Sequence, residues 1–200
     1  MNRGYLLVAL ILISNISQAD WQPDRVSVGH GNFFSPFANR TADIQQYRLG
    51  LIWEVSNELW SSENTQLQSY VELALGKWNS SLNPAFNNQR IGADSVNQIS
   101  VSPVFRLTSQ QPAWGNSYPF LDMGVGLSYQ SEEDIEQKHL TGINMGGNWQ
   151  FEIRAMIGMA LGENRDFEIS YGWMHYSNAY IHDANEGIDF QTLQLTYRFR

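Results

Sequence analysis

From about residue 24 onward the chain alternates, position by position, between large apolar side chains and polar or small ones. Eight runs carry this period of two, at about 24–34, 43–60, 65–78, 95–108, 118–130, 147–161, 166–178 and 189–199, and each predicts a β-strand with one greasy face. In the sixth run, Trp149, Phe151, Ile153, Ala155, Ile157, Met159 and Leu161 alternate with Gln150, Glu152, Arg154, Met156 and Gly158. In the last, Leu193, Leu195, Tyr197 and Phe199 alternate with Gln194, Thr196 and Arg198. Runs of ten residues or more suit tilted strands that cross a bilayer, whereas soluble strands average about 5–6 residues.

The polar face carries charges of both signs: Arg48, Arg106, Arg154 and Arg198 against Glu54, Glu72, Asp122, Glu152 and Glu168. In a narrow eight-stranded barrel that face points inward and neutralises itself as a salt-bridged plug, while the apolar face meets lipid. A soluble lipocalin-like barrel inverts the arrangement, so alternation alone leaves both open; strand length and the export signal favour the membrane. The linkers agree with that reading. Ser61–Asn64 and Gly162–Arg165 are short turns, Ser109–Ser117 is intermediate, and Asn79–Asp94 and Ser131–Gly146 are long and polar, the rhythm of periplasmic turns and external loops. The expected fold is therefore all-β, an eight-stranded antiparallel transmembrane barrel of the bacterial outer membrane, forming a single domain over residues 20–200.

The N-terminus supplies the export signal: Arg3, an apolar stretch from Tyr5 to Ile13, then polar residues to a small-x-small site at Ser17 and Ala19. Residues 1–19 read as a cleaved signal peptide, too short to span a bilayer. The formal charge of −8 argues against a nucleic-acid partner. The absence of cysteine removes disulfides, a lipoprotein anchor and a thiol nucleophile from consideration.

Chemistry concentrates in the last quarter. His175 and Ser177 continue the lipid-facing register of Phe167, Ile169, Tyr171 and Trp173, and Asp189 falls in the outward register of Leu193, Leu195 and Tyr197. Polar groups facing hydrocarbon lack water to satisfy them, which calls for a functional reason. Two residues apart on one strand face, His175 and Ser177 lie roughly 7 Å apart along the strand. An imidazole so placed can act as general base to the hydroxyl, with Asp189 on the next strand fixing the ring's tautomer. The competing reading is an ordinary interfacial rim of polar and aromatic residues. His30, His139 and His182 have no carboxylate at a defensible spacing, no His-Glu-x-x-His metal motif or Gly-x-Ser-x-Gly elbow occurs, and the acidic cluster at 132–136 reads as a solvated loop.

The string His175-Tyr176-Ser177-Asn178-Ala179, with Asn185-x-Gly187-x-Asp189 downstream, resembles the signature of the lipid A 3-O-deacylases, which are eight-stranded outer-membrane barrels. The resemblance is specific in the C-terminal quarter; upstream it covers strand pattern and the Trp149-Gln150-Phe151 segment. It implies Ser177 as nucleophile, His175 as base and Asp189 as orienting acid, where the family more often has Glu. It implies that Asn178 donates its side chain to the oxyanion, that the N–H of Tyr180, where the family has Gly, is the second donor, that Asn185 braces the loop and that Phe151 flanks the acyl groove. The activity it implies is hydrolysis of the 3-hydroxyacyl ester at position 3 of lipid A. The partner is lipopolysaccharide of the outer leaflet, with a homodimer as an admissible assembly and neither metal nor organic cofactor required. A non-enzymatic small barrel of the OmpX type and an outer-membrane acyltransferase are the alternatives.

Overall fold

The computed structural model describes residues 22–35, 42–81, 92–136 and 142–199, so the signal-peptide reading lies outside the described residues. Its strands are β1 (Arg25–Phe33), β2 (Ile44–Ser61), β3 (Thr65–Ser80), β4 (Ser95–Ser109), β5 (Ser117–Gln130), β6 (Asp134–Glu136), β7 (Gly142–Asn144), β8 (Trp149–Leu161), β9 (Phe167–Ser177) and β10 (Ile188–Arg198). All except β6 and β7 close into one barrel in the order β1-β10-β9-β8-β5-β4-β3-β2, with every pairing antiparallel. The eight alternating runs are these eight staves. Closure removes the unpaired edges that would otherwise recruit other strands.

The register fixes the tilt. Passing from partner to partner, Leu161 leads to Phe167, Tyr197, Val26, Leu51, Leu73, Val101, Leu127 and back onto β8 at Phe151, ten residues from the start. That stagger forces each strand to lean against the barrel axis. Each step along such a row therefore climbs toward the end where the long loops lie.

Side chains sort by parity as the alternation requires. Leu75, Met123, Ile157 and Phe167 are each more than half exposed on the outer wall. A continuous belt of that kind has its solvent in hydrocarbon, not water. Inside, Arg48 bonds Glu152 at 2.7 Å and Glu72 at 3.0 Å, and Arg154 bonds Glu152 at 2.6 Å and also pairs with Glu72. Ser27 and Ser102 each donate to one of these carboxylates at 2.7 Å. A second knot nearer the short turns joins Arg106 to Asp122 and Glu168, Arg25 to Glu168, and Arg198 to Glu54. Opposite charges thus fill the lumen, and their mutual bonds offset the cost of burying them.

Toward the long-loop end the inward face changes character. Trp78, Met174, Tyr176, Ile188 and Phe190 form a fully buried apolar cluster, closed over by Ile135, Ile143 and Met145. The last three come from the hairpin β6–β7 and the residue after it, inside a segment whose polarity predicts a plain loop. Alternating Ile143 and Met145 was the available signal, diluted by the acidic residues around it.

Candidate active site

The pairing register brings the three chemistry-bearing residues onto one patch of the outer wall. His175 stands opposite Asp189 on β10 and opposite Ile153 on β8, and Ser177 stands opposite Phe151. Directly opposed residues of an antiparallel pair share a face, so parity alone delivers imidazole, hydroxyl and carboxylate to the same side. His175 Nδ1 lies 2.8 Å from Asp189 Oδ1, and Trp173 Nε1 donates to that same oxygen at 2.7 Å. The Trp173 and His175 rings stack with centroids 5.5 Å apart. The imidazole is therefore pinned by a carboxylate on its edge and an indole on its face. Among the described residues no hydrogen bond engages Nε2.

Ser177 is nearly buried and His175 about one-quarter exposed. Among the described residues no hydrogen bond joins Ser177 Oγ to His175, a contact that often tightens only once substrate is bound. Gly187 shows how close the two side chains run. A Cβ built on it would sit 3.1 Å from His175 Cε1 and 3.7 Å from Ser177 Cβ, so both converge over a residue without a side chain. Gly187 also has φ +61°, a conformation glycine adopts without penalty. Gly187→Ala is expected to displace the ring and lower turnover by roughly 10- to 100-fold while the barrel still folds. Steady-state kinetics on the variant, alongside its heat-modifiable migration in detergent gels, checks this.

The loop after β9 begins with a turn in which Ile181 N–H donates to the Asn178 carbonyl at 3.1 Å. Its two central residues, Ala179 (φ 52°) and Tyr180 (φ 61°), are both left-handed. Tyr180 thus keeps a backbone shape that costs a non-glycine residue about 1–2 kcal/mol. Strain of this kind clusters at functional turns, and this one follows Ser177 directly. None of the turn's hydrogen bonds among the described residues consumes the N–H of Ala179 or Tyr180.

Asn178 is placed otherwise than expected. Its Nδ2 donates to Met145 O at 2.9 Å and to Ala184 O at 2.6 Å, so both amide hydrogens are engaged with the backbone and neither is directed to an oxyanion beside Ser177. It ties the β9–β10 loop to the β7–β8 segment. Asn185 Oδ1 accepts the Asn178 N–H at 2.9 Å, a bond within the same loop. Glu186 adds a further tie, accepting Asn144 N–H at 2.5 Å. Gly146 makes the crossing feasible, since a Cβ there would overlap the Ala184 carbonyl. Removing the Asn178 acceptor with Asn185→Ala leaves a nearly buried N–H unpaired, at a cost of about 1–3 kcal/mol. Faster amide exchange across residues 178–187, with the rest of the barrel unchanged, is the expected signature. Trp173 and Gly187 are the contributors that sequence reading left without a role. Trp173 precedes His175 by two on the same face, which places it diagonally across from Asp189.

A closed barrel with a histidine–carboxylate pair and a serine on its lipid-facing wall carries the groups that a membrane-embedded hydrolase uses. The comparisons fit that class. The model of the lipid A 3-O-deacylase (PagL) family matches residues 44–198, and the chain belongs to this family. Among solved structures, the crystal structure of the outer membrane enzyme PagL covers 88% of this chain and 99% of its own, at 21% identity and TM-score 0.67. Neisserial surface protein A covers 88% and 95%, at 8% identity and TM-score 0.45. No curated protein matches the chain. The protein is an integral outer-membrane barrel, and its family is one of lipid A deacylases.

Proposed function

We propose that this protein is a serine esterase that hydrolyses the ester-linked 3-hydroxyacyl chain at position 3 of lipid A, with Ser177, His175 and Asp189 as the triad. The observation that carries this reading is the 2.8 Å His175–Asp189 pair set beside Ser177 on the lipid-facing wall, where an idle ion-pairing side chain is costly. Substrate reaches that wall by lateral diffusion.

In the first half-reaction His175 Nε2 takes the Ser177 hydroxyl proton as Oγ bonds to the ester carbonyl carbon. The developing oxyanion is met by the backbone N–H groups of the 179–180 turn, Tyr180 foremost, whose left-handed shape presents adjacent amides. Collapse breaks the bond to the sugar oxygen, which receives the proton from His175. Water then repeats the sequence on the acyl-enzyme, releasing the hydroxy fatty acid and restoring Ser177. Asp189 holds the ring tautomer and balances its transient charge, and Trp173 holds Asp189. Phe151, paired with Ser177, flanks the acyl chain.

Mass spectrometry of lipid A incubated with the purified barrel tests the proposal. Loss of one 3-hydroxyacyl group, with a fluorophosphonate probe attached at Ser177, is the expected result. Gain of an acyl group would instead indicate transfer to another acceptor, and an unchanged, unlabelled outcome would leave a scaffold barrel.

A further inference from the structure

The outer wall is not uniform around the triad. On β8 every outward residue from Leu161 to Phe151 is apolar, and on β5 the outward set Leu121, Met123, Val125 and Leu127 continues that surface. On the other side the belt is breached. The register row that contains Trp173 runs through Gln191, Asn32 and Gln45, and the row below it through Leu193, His30, Tyr47 and Lys77. One step lower the wall is wholly apolar again, at Leu195, Val28, Leu49 and Leu75.

The lower part of this patch, His30 and Gln191, is not simply the wall emerging into water, while Lys77 and Gln45 reach the level of the girdle. Tyr129 and Trp149, whose rings pack at 5.2 Å, mark the aromatic girdle on the β5–β8 side. Val28 and Tyr129 lie on one row, four strands apart, through Leu49, Leu75 and Ile99. With a stagger of ten residues over the closed barrel, four strands amount to about five residues of climb, whereas His30 is two residues above Val28. His30 therefore lies below the girdle, within the apolar band.

The charge on the patch is equally uneven. Among the described strand residues, Lys77 is the one lysine or arginine in the outward register, and His30 stands beside it across Tyr47, with rings 5.0 Å apart. Among the described strand residues, Asp189 is the outward carboxylate nearest the patch, and it is occupied by His175 and Trp173; Asp43, exposed just before β2, lies beyond Gln45 at the rim. A chain of formal charge −8 thus presents a basic and amide-rich shelf continuous with its own candidate triad.

We propose that Gln191, Asn32, Gln45, His30 and Lys77 form a headgroup shelf that receives the phosphorylated sugar of the lipid substrate, leaving the apolar β8–β5 wall to its acyl chain. This rests on the esterase reading above and adds an orientation to it. Amides bond sugar hydroxyls, and Lys77 with His30 bonds phosphate through charge-assisted contacts. With polar matter on one side of Ser177 and hydrocarbon on the other, one rotation of the lipid brings an ester to the nucleophile.

Native mass spectrometry of the detergent-solubilised full chain, made unreactive as Ser177→Ala, reads the shelf directly. The probes are bis-phosphorylated lipid A, the same lipid stripped of phosphate, and inorganic phosphate as competitor. The double variant Lys77→Gln with His30→Gln is expected to lose phosphorylated lipid by about five- to tenfold and to retain the stripped lipid. Asn32→Leu with Gln191→Leu is expected to weaken both lipids. In the Ser177 background, the shelf variants lower kcat/KM for lipid A in step with the binding they lose. Equal binding of both lipids, or shelf variants that bind as the parent does, overturns the shelf whatever the activity. Inorganic phosphate bound by the shelf without any preference for the phosphorylated over the stripped lipid reduces it to an anion site and overturns the headgroup assignment. Phosphate-dependent binding in a chain that hydrolyses nothing sinks the esterase and leaves the shelf standing.

Discussion

Ser177→Ala is expected to lower kcat/KM for lipid A by about 10⁴-fold or more, with Asp189→Asn losing roughly 10³- to 10⁴-fold. In the proposed mechanism the hydroxyl oxygen is the bond-forming atom, so no neighbour replaces it. The carboxylate acts through the ring: an amide at position 189 can still accept from Trp173, but it offers the imidazole no charge and can present the wrong polarity to Nδ1. Because the members act as a unit, the double variant should be no slower than Ser177→Ala alone. Single-turnover assays separate this from a binding defect, since the lipid should still bind. An Asp189→Asn enzyme as fast as the parent would show that the 2.8 Å pair is architectural and that the reaction is carried elsewhere.

The largest stability effect is expected inside the barrel. Glu152 accepts from both Arg48 and Arg154 as well as Ser102, and all of these are buried. Glu152→Leu leaves two guanidinium groups sharing Glu72, and breaking a buried pair from one side costs about 3–5 kcal/mol. The compensated variant Arg48→Met with Glu152→Leu keeps Arg154 paired with Glu72 and removes the imbalance, so its loss should be markedly smaller. Urea unfolding in lipid vesicles, followed by the shift between folded and unfolded gel mobility, measures both. A single variant no less stable than the double would mean that solvent reaches the lumen and screens the orphaned charge.

The site's legibility in sequence follows from which of its contacts are periodic. Strand parity put His175, Ser177 and Asp189 on the lipid face, because side chains alternate strictly along a strand and a one-residue slip would turn the whole apolar set inward. The same rule foretells an inward charge network, which the structure extends to Arg25. Parity is silent where the chain leaves the ladder. The two hydrogens of Asn178 go to carbonyls 33 and 6 residues away, and nothing in its local string distinguishes such a brace from an oxyanion donor.

What the sequence by itself determined is the two-residue rhythm, and with it an eight-stranded barrel, its lipid-facing wall and the face on which the reactive side chains stand. What only the tertiary structure decided is the register between strands and the crossing of loops. It set Asp189 opposite His175, Trp173 onto the same carboxylate oxygen, Gly187 beneath the ring, the β6–β7 hairpin over the lumen and the polar rows of β10, β1, β2 and β3 into one shelf. The reason is one of range. Alternation is enforced by covalent geometry within a strand, whereas these contacts join residues distant in sequence and are selected by the stagger of the closed barrel as a whole.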